Sequence, residues 1–309
     1  MVRPLFAESC GQRKGKSDAA GGAAGARDET HALRVKILRV TGPPRFGARR
    51  SPTDLRIYFP SIFIRVYLCP SVVKINQNPI IAALDVPTPE QALQLAQDLA
   101  PAVGAFKIGK ELFVAAGPDI VRRVRDTGAC VFLDLKFHDI PNTVARAIAS
   151  AVRLDVQMLT IHTSGGSEMM RAAEQAAQQT AQQSGRNAPL VLGVTVLTSH
   201  DANTLAEVGC EANVGHQVER LASLAVKSGL RGLVCSPLEI VALRRILPAA
   251  VQLVTPGIRT GAEKADDQKR TLTPHEAMAA GASWLVIGRP IYAAENPRAA
   301  AEKILQSLN

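Results

Sequence analysis

From Asn78 onward, short apolar runs alternate with longer amphipathic stretches, and this alternation constrains the fold more than any other feature. Each run is nearly continuous in apolar residues, which is typical of strands buried on both faces of a parallel sheet. The eight runs are Ile80–Leu84, Ala105–Ile108, Val131–Leu135, Gln157–Ile161, Leu190–Val196, Gly232–Cys235, Val251–Thr255 and Trp284–Ile287. The eight predicted strand–helix units occupy the 233 residues 77–309. This length is close to that of a typical (β/α)8 barrel, about 250 residues. The sequence therefore predicts an α/β protein whose residues 77–309 form a (β/α)8 TIM barrel.

Helix-start signals lie between several of these runs. Thr88-Pro89-Glu90-Gln91, Ser236-Pro237-Leu238-Glu239 and Thr273-Pro274-His275-Glu276 each combine a hydroxyl at the cap, a proline at the first helical position and Glu or Gln at the third. A doubly wound open sheet is the alternative architecture. Its dinucleotide-binding form is disfavoured because no G-x-G-x-x-G follows the first predicted strand.

The net charge of the chain is +9, a value that raises the question of binding to nucleic acid or to an anionic membrane. Residues 1–76 hold 14 basic and 5 acidic residues, whereas residues 77–309 hold 22 of each. The whole excess therefore belongs to the first segment, which is Ala- and Gly-rich over Asp18–Ala26 and dotted with Arg. We expect residues 1–76 to be a basic, low-complexity, disordered extension, and the barrel to bind neither nucleic acid nor membrane.

Two other interpretations of residues 1–76 stay open. Their Arg-rich character resembles an organelle transit peptide, although acidic residues such as Glu8 and Asp18 weaken the match. Alternatively, translation starts later in the chain. A start at Val73 would open a compact domain directly before Ile80.

The cysteines and the hydropathy pattern indicate the cellular compartment. The five cysteines form no C-x-x-C pair and are odd in number, which disfavours a disulfide framework or a zinc knuckle. No apolar run approaches the roughly 20 residues that span a bilayer, because Pro60 and Arg65 interrupt the best candidate, Tyr58–Cys69. We therefore expect a protein of the reducing cytoplasm, without a metal site or a membrane span.

Polar side chains follow the predicted strands at their carboxyl ends, where (β/α)8 barrels carry their chemistry. Taken in chain order, these residues are Asp85, Lys107, Asp134, Lys136, Asp139, His162, Thr198 and Arg289, and Gly288 directly precedes Arg289. The loop after the eighth strand of such barrels commonly binds phosphate through backbone N–H groups, so Gly288 and Arg289 are candidate phosphate ligands.

The densest of these clusters is Asp134-x-Lys136-x-x-Asp139. On a strand, Asp134 and Lys136 point to the same side, whereas Asp139 lies past the strand end, where a loop can place it in this site or in a neighbouring subunit's site. Nearby carboxylates favour the ammonium form of Lys136, which suits a proton donor and not a Schiff-base nucleophile. A structural salt bridge is the alternative for such a pair. The expected convergence of Lys107 and Asp85 on the same mouth favours a functional site.

The stretch Phe132-Leu-Asp-Leu-Lys-Phe-His-Asp-Ile-Pro-Asn-Thr143 resembles the signature of the orotidine 5'-phosphate decarboxylase family. Five further stretches resemble family motifs in the same order and spacing: Ala83–Val86, Phe106–Phe113, Val194–Ser199, Thr255–Arg259 and Ile287–Ile291. The resemblance covers residues 77–309 and none of 1–76. It implies a (β/α)8 carboxy-lyase that converts orotidine 5'-phosphate to UMP and CO2 in pyrimidine biosynthesis, directly and without a cofactor.

The resemblance also implies a role for each matching residue. Lys136 resembles the lysine that protonates C6 of the pyrimidine, and Asp134 resembles the carboxylate beside the departing carboxyl group. The other implied roles are ribose binding by Asp85 and Lys107, pyrimidine binding by Thr198 and Pro256, phosphate binding by Gln268, Gly288 and Arg289, and contribution across a homodimer interface by Asp139 and Thr143.

Two alternative functions come from different classes. The related sugar-phosphate decarboxylases and hexulose-phosphate synthases share the D-x-K-x-x-D strand but use a metal, and they typically carry an acidic ligand where this chain has Lys107. A protein that binds RNA or membranes through its basic residues 1–76 is the non-enzymatic alternative. The complete motif set favours the decarboxylase over both.

Overall fold

The computed structural model of the chain describes residues 78–259 and 271–308. The expected extension at residues 1–76 and the expected phosphate ligand Gln268 lie outside these residues. Both therefore stay predictions.

Parallel strands close into a barrel in chain order, with each strand hydrogen-bonded to the next and the eighth to the first. They are β1 Ile80–Ala83, β2 Ala105–Gly109, β3 Cys130–Phe137, β4 Met158–His162, β5 Leu190–Val194, β6 Gly232–Val234, β7 Gln252–Thr255 and β8 Trp284–Ile287. The predicted strands and the predicted TIM barrel are confirmed, with strand ends that differ from the apolar runs by at most two residues.

Strand alternation divides the apolar side chains between two cores. Ile81, Phe132 and Trp284 belong to a cluster of strand residues that fills the barrel interior. Ile80 and Phe106 belong to a larger cluster that the strands share with the surrounding helices. Both faces of each strand are therefore removed from water, which is the reason why the runs read as continuously apolar and not as alternating.

The helices follow the strands around the barrel. They are α1 Pro89–Leu99, α2 Lys110–Ala116, α3 Asp119–Arg125, α4 Pro141–Val152, α5 Gly166–Gln183, α6 Ala202–Glu207, α7 Val214–Lys227, α8 Ile240–Ile246, α9 Pro274–Ala279, α10 Arg289–Tyr292 and α11 Pro297–Gln306. Within the described part of the chain, none of them is long and apolar enough to cross a membrane.

The predicted helix starts at Thr88 and Thr273 are confirmed, because both hydroxyls cap helices that begin at the following proline. The helical segment after Ser236 also begins at the following proline, but its first turn is not α-helical. Pro237–Glu239 forms a 3-10 turn, and α8 begins only at Ile240. The Glu239 carboxylate still accepts a hydrogen bond from the Ser236 backbone N–H at 2.8 Å, so the capping contact forms around the tighter turn.

Strand β3 is irregular near the mouth of the barrel. Leu133 pairs with Leu159, but the next pairing joins Phe137 to Ile161, so β3 takes four residue steps where β4 takes two. Lys136 lies inside this irregularity with a φ of 52°. That left-handed conformation costs a non-glycine residue about 1–2 kcal/mol. Bulges of this kind re-aim side chains beside active sites.

Asn78 and Gly104 hold the start of β1 against the segment that precedes β2. The Asn78 side chain donates to the Ala102 carbonyl at 2.8 Å and accepts from the Ile80 N–H at 3.0 Å. The Gly104 N–H donates to the Ile80 carbonyl at 2.9 Å. A Cβ atom on Gly104 would overlap the Asn78 carbonyl oxygen and press on the Trp284 ring at 3.2 Å. Glycine is therefore required here by a close approach of two backbone segments.

Replacing Gly104 by Ala is expected to lower the free energy of unfolding by about 1–3 kcal/mol, because the added methyl group overpacks this contact. Urea denaturation followed by circular dichroism measures the change. The matched control is Gly215→Ala in α7, where a Cβ would meet only Asn213 Oδ1 at 3.6 Å, an ordinary contact. Equal stability of the two variants would contradict the packing argument.

Candidate active site

A cavity of about 500 Å³ opens where the strands end. Charged residues from the first three strands line it, namely Asp85, Lys107, Asp134 and Lys136. Thr198, Pro256, Gly288 and Arg289 from later strand ends line it as well. The volume lies in the range of pockets that hold a small-molecule ligand, about 300–1,000 Å³.

Lys107 on β2 and Asp85 after β1 form the first ion pair of the cavity. Strand register sets Ala83 beside Lys107, and Asp85 follows two residues later on the same side of the chain, within reach of the long lysine side chain. Lys107 Nζ donates to Asp85 Oδ1 at 2.8 Å. The lysine side chain is 13% exposed and the aspartate side chain 44% exposed, which leaves this carboxylate open to a ligand in the cavity.

Lys136 and Asp134 on β3 form the second ion pair. Lys136 Nζ donates to Asp134 Oδ1 at 2.8 Å and to Oδ2 at 2.7 Å. The side chains are 25% and 13% exposed, so both charges lie largely out of water. The two side chains meet as expected from their spacing, although Lys136 reaches Asp134 from a left-handed backbone and not from a regular strand.

The electrostatic setting of Asp134 combines opposing effects. Burial alone would raise the pKa of this carboxyl, but the positive charges of Lys136 and Lys107, together with hydrogen bonds from Lys136 and Thr160, outweigh burial and hold the pKa below its usual value. Asp134 therefore stays ionised at neutral pH. The fixed negative charge next to an ammonium group is suited to repel one anion while the ammonium group attracts another.

Thr160 on β4 is a polar contact of this pair that the sequence reasoning missed. Its side chain is fully buried, and its hydroxyl donates to Asp134 Oδ1 at 2.9 Å. The available signal was strand alternation, because Thr160 lies two residues before His162 and shares its face of β4. A threonine inside an apolar run is typical of an ordinary strand core, so the residue type did not indicate a role in the site.

Arg259 and Tyr292 also line the cavity and were not singled out as site residues. Arg259 ends the stretch Thr255–Arg259, and its N–H donates to the Leu272 carbonyl at 3.0 Å. Tyr292 lies one helical turn after Arg289 in α10, a spacing that puts both on one face. Burial and the charge of Asp85 raise the pKa of the Tyr292 hydroxyl, which therefore stays protonated.

Asp139 and Thr143 do not line the cavity among the described residues. Both are exposed, and Asp139 Oδ1 accepts a hydrogen bond from the N–H of the adjacent Ile140 at 2.6 Å. Ile140 itself is a large apolar side chain with 67% of its surface exposed. Two of the expected site residues are therefore exposed beside an exposed apolar side chain.

His162 lies near Asp134 and Lys136, and its ring lies beside the ring of His138. The rings of His138 and His162 have centroids 5.4 Å apart and are tilted by 45°. Burial, followed by the nearby charges of His138, Lys110 and Lys136, lowers the pKa of His162 to about 4. His162 is therefore neutral at physiological pH and adds no charge beside Lys136.

The described residues include no group of three or more His, Cys, Asp or Glu side chains placed to hold a metal ion. The chemistry that the site offers comes instead from alternating charges along its wall: Asp85, Lys107, Asp134 and Lys136. Such a layer can bind hydroxyl groups through the first pair and transfer a proton from the ammonium group of the second.

Comparison with known proteins places this geometry in a family. The model of the "Orotidine 5'-phosphate decarboxylase / HUMPS family" matches residues 78–304. Curated proteins named orotidine 5'-phosphate decarboxylase include one from Opitutus terrae, 55% identical over 229 residues that cover 74% of this chain and 97% of the relative. Another, from Pseudomonas savastanoi pv. phaseolicola, is 50% identical over 232 residues that cover 75% of this chain and 98% of the relative.

A solved structure gives the same result. The crystal structure of orotidine 5'-phosphate decarboxylase from Lactobacillus acidophilus matches with a TM-score of 0.68 and 37% sequence identity, over 75% of this chain and 99% of that one. The motifs, the fold and the relatives agree over the barrel, and the chain therefore belongs to the orotidine 5'-phosphate decarboxylase / HUMPS family.

Proposed function

We propose that this chain is a carboxy-lyase that converts orotidine 5'-phosphate to UMP and CO2 in pyrimidine biosynthesis. The observation that carries the proposal is the layer of alternating charges, Asp85, Lys107, Asp134 and Lys136, on one wall of the cavity in a chain of this family. The reaction needs a group that meets a developing negative charge at C6 and then supplies a proton, and Lys136 is that group.

In the proposed reaction, the bond between C6 and the carboxyl carbon breaks and its electron pair stays on C6. CO2 leaves, and the Lys136 ammonium group donates a proton to C6, which completes UMP. Water then returns a proton to Lys136. Asp134 lies 2.7 Å from Lys136 Nζ and holds this ammonium group in place throughout.

Repulsion between Asp134 and the substrate carboxylate contributes only part of the acceleration. Two carboxylates about 4 Å apart at an effective dielectric constant of about 20 repel by about 4 kcal/mol. That energy corresponds to about a thousandfold in rate. The remaining acceleration comes from stabilisation of the C6 carbanion by Lys136 and from binding energy at the other end of the substrate.

The other end of the substrate is a ribose phosphate. Asp85 and Lys107 bind its hydroxyl groups, and Thr198 and Pro256 contact the pyrimidine. Gly288 and Arg289 after β8 bind the phosphate, together with Gln268 from outside the described residues. Arg289 lines the cavity with an exposed side chain, which supports its role as the phosphate clamp.

A homodimer completes the site in this proposal. Asp139 and Thr143 are exposed, and Ile140 between them is 67% exposed, as suits a surface that a second subunit covers. Asp139 and Thr143 of one subunit then contribute to the charged layer of the other.

Metal-dependent sugar-phosphate decarboxylases and hexulose-phosphate synthases are the competing activities within the same barrel type. The Lys107 ammonium group, 2.8 Å from Asp85, occupies the position where those enzymes typically carry an acidic ligand. A cation at this position opposes the binding of a divalent metal.

Replacing Lys136 by Ala is expected to lower kcat for orotidine 5'-phosphate by about a hundredfold or more, because the proton donor is lost. Loss of substrate absorbance measures turnover, and circular dichroism checks the fold. The matched control is Lys303→Ala on the exposed part of α11, which is expected to leave kcat unchanged. Near-normal turnover by a folded Lys136→Ala variant would refute the scheme.

Mixing two inactive variants tests the shared site. Lys136→Ala and Asp139→Ala homodimers each lack one group in every site, but a mixed dimer has one site with both groups intact. After unfolding and refolding of an equal mixture, about a quarter of the wild-type activity is expected for a symmetric dimer. If Asp139 acts within its own subunit, the mixture stays as inactive as its components.

Treatment with a metal chelator distinguishes the decarboxylase from its metal-dependent relatives. Turnover of orotidine 5'-phosphate is expected to continue at the same rate after dialysis against EDTA, since the proposed chemistry uses only side chains. Activity that disappears on chelation and returns with added magnesium ions would favour the alternative.

A further inference from the structure

Thr160 connects the backbone N–H of Lys136 to the carboxylate that holds the Lys136 ammonium group, and the hydrogen bonds form a closed ring. The Lys136 backbone N–H donates to Thr160 Oγ1 at 2.9 Å, and the Thr160 hydroxyl donates to Asp134 Oδ1 at 2.9 Å. Asp134 in turn accepts from the Lys136 ammonium group at 2.7 and 2.8 Å. A hydroxyl can accept and donate at the same time, so one side chain satisfies both contacts.

The backbone of β3 requires such a contact at this point. The irregular register between Leu133 and Phe137 interrupts the pairing of β3 with β4, so the Lys136 N–H has no place in a regular ladder there. Thr160 Oγ1 accepts the hydrogen bond of this N–H, which belongs to a residue held at a φ of 52°. The threonine side chain is fully buried and branched at Cβ, so its χ1 angle has little freedom.

The same hydroxyl restrains the Asp134 carboxylate. The terminal torsion of an aspartate is broad, so the carboxylate plane needs a fixed partner to stay in one orientation. Lys136 alone cannot fix the carboxylate plane, because the lysine side chain is long and flexible. Thr160 is anchored in the strand that neighbours β3 and makes the carboxylate orientation part of the barrel framework.

We propose that Thr160 is a positioning residue that fixes the Asp134 carboxylate and the Lys136 backbone together, and so sets the place of the Lys136 ammonium group in the cavity. The inference rests on the proposed decarboxylase function. Thr160 acts through its two partners, and the proton still comes from Lys136.

The test compares variants that remove the hydroxyl or keep it. Thr160→Val keeps the shape and removes the hydroxyl, whereas Thr160→Ser keeps the hydroxyl and removes the methyl group. We expect Thr160→Val to lower kcat about 10- to 100-fold, the order expected for a misplaced catalytic group. Binding of UMP, measured by calorimetry, is expected to stay within about threefold of wild type, because the Thr160 hydroxyl contacts Asp134 and Lys136 and not the proposed ribose and phosphate ligands. Thr160→Ser is expected to restore most of kcat.

Thr163→Val is the matched control. Thr163 is also fully buried, and its hydroxyl donates to the Val194 carbonyl at 2.8 Å, without contact to the charged layer. Its loss is expected to lower the melting temperature and leave kcat near wild type. A purely structural role for Thr160 would make the two valine variants alike in kcat, and that result would overturn the proposal.

Two further outcomes are decisive. A Thr160→Ser variant as slow as Thr160→Val would assign the effect to the methyl group and overturn the proposal. If Thr160→Val does not fold, Thr160→Ala against Thr160→Ser isolates the hydroxyl in two variants that both lack the methyl group, with equal kcat again overturning it. Wild-type turnover is measured in parallel, and its absence would refute the decarboxylase function itself and not the positioning role.

Discussion

The buried ion pair between Asp134 and Lys136 is the interaction on which the architecture of the site depends. Charges that are only 13% and 25% exposed are costly unless each finds a close partner. Asp134 has such partners from three strands, since Lys107, Lys136 and Thr160 stabilise its ionised form. Strand pairing makes this possible, because β2, β3 and β4 are neighbours in the sheet and their ends lie side by side.

The irregularity in β3 gives the pair its position. A regular strand would carry Asp134 and Lys136 to the same side, but the register with β4 is interrupted between Leu133 and Phe137. The structure instead places Lys136 in a left-handed conformation and gives its N–H to Thr160. Strain of this kind persists only where the surroundings over-determine it, and such sites cluster where proteins do chemistry. The cost of about 1–2 kcal/mol is a large fraction of the net stability of a typical protein, about 5–15 kcal/mol, so the contacts around Lys136 must offset it.

The predictions from sequence succeeded where local pattern and tertiary environment agree. Continuous apolar runs identified the strands, because every strand is covered on both faces, and the caps at Thr88 and Thr273 identified helix starts. At Ser236 the same signal marked a 3-10 turn, since a capping contact does not specify which helical turn it closes. Thr160, Arg259 and Tyr292 escaped notice because their types are ordinary and their positions matter only once the barrel closes.

The sequence by itself determined the barrel, the family and the identity of the charged residues at the strand ends, because these depend on residue type and spacing along one chain. The sequence also located the +9 net charge in residues 1–76, since residues 77–309 hold equal numbers of basic and acidic residues. Only the tertiary structure decided which charges pair, which stay ionised and which hydroxyl links them. Those properties depend on distances between residues 22 to 26 positions apart in sequence, and such distances exist only after neighbouring strands have paired.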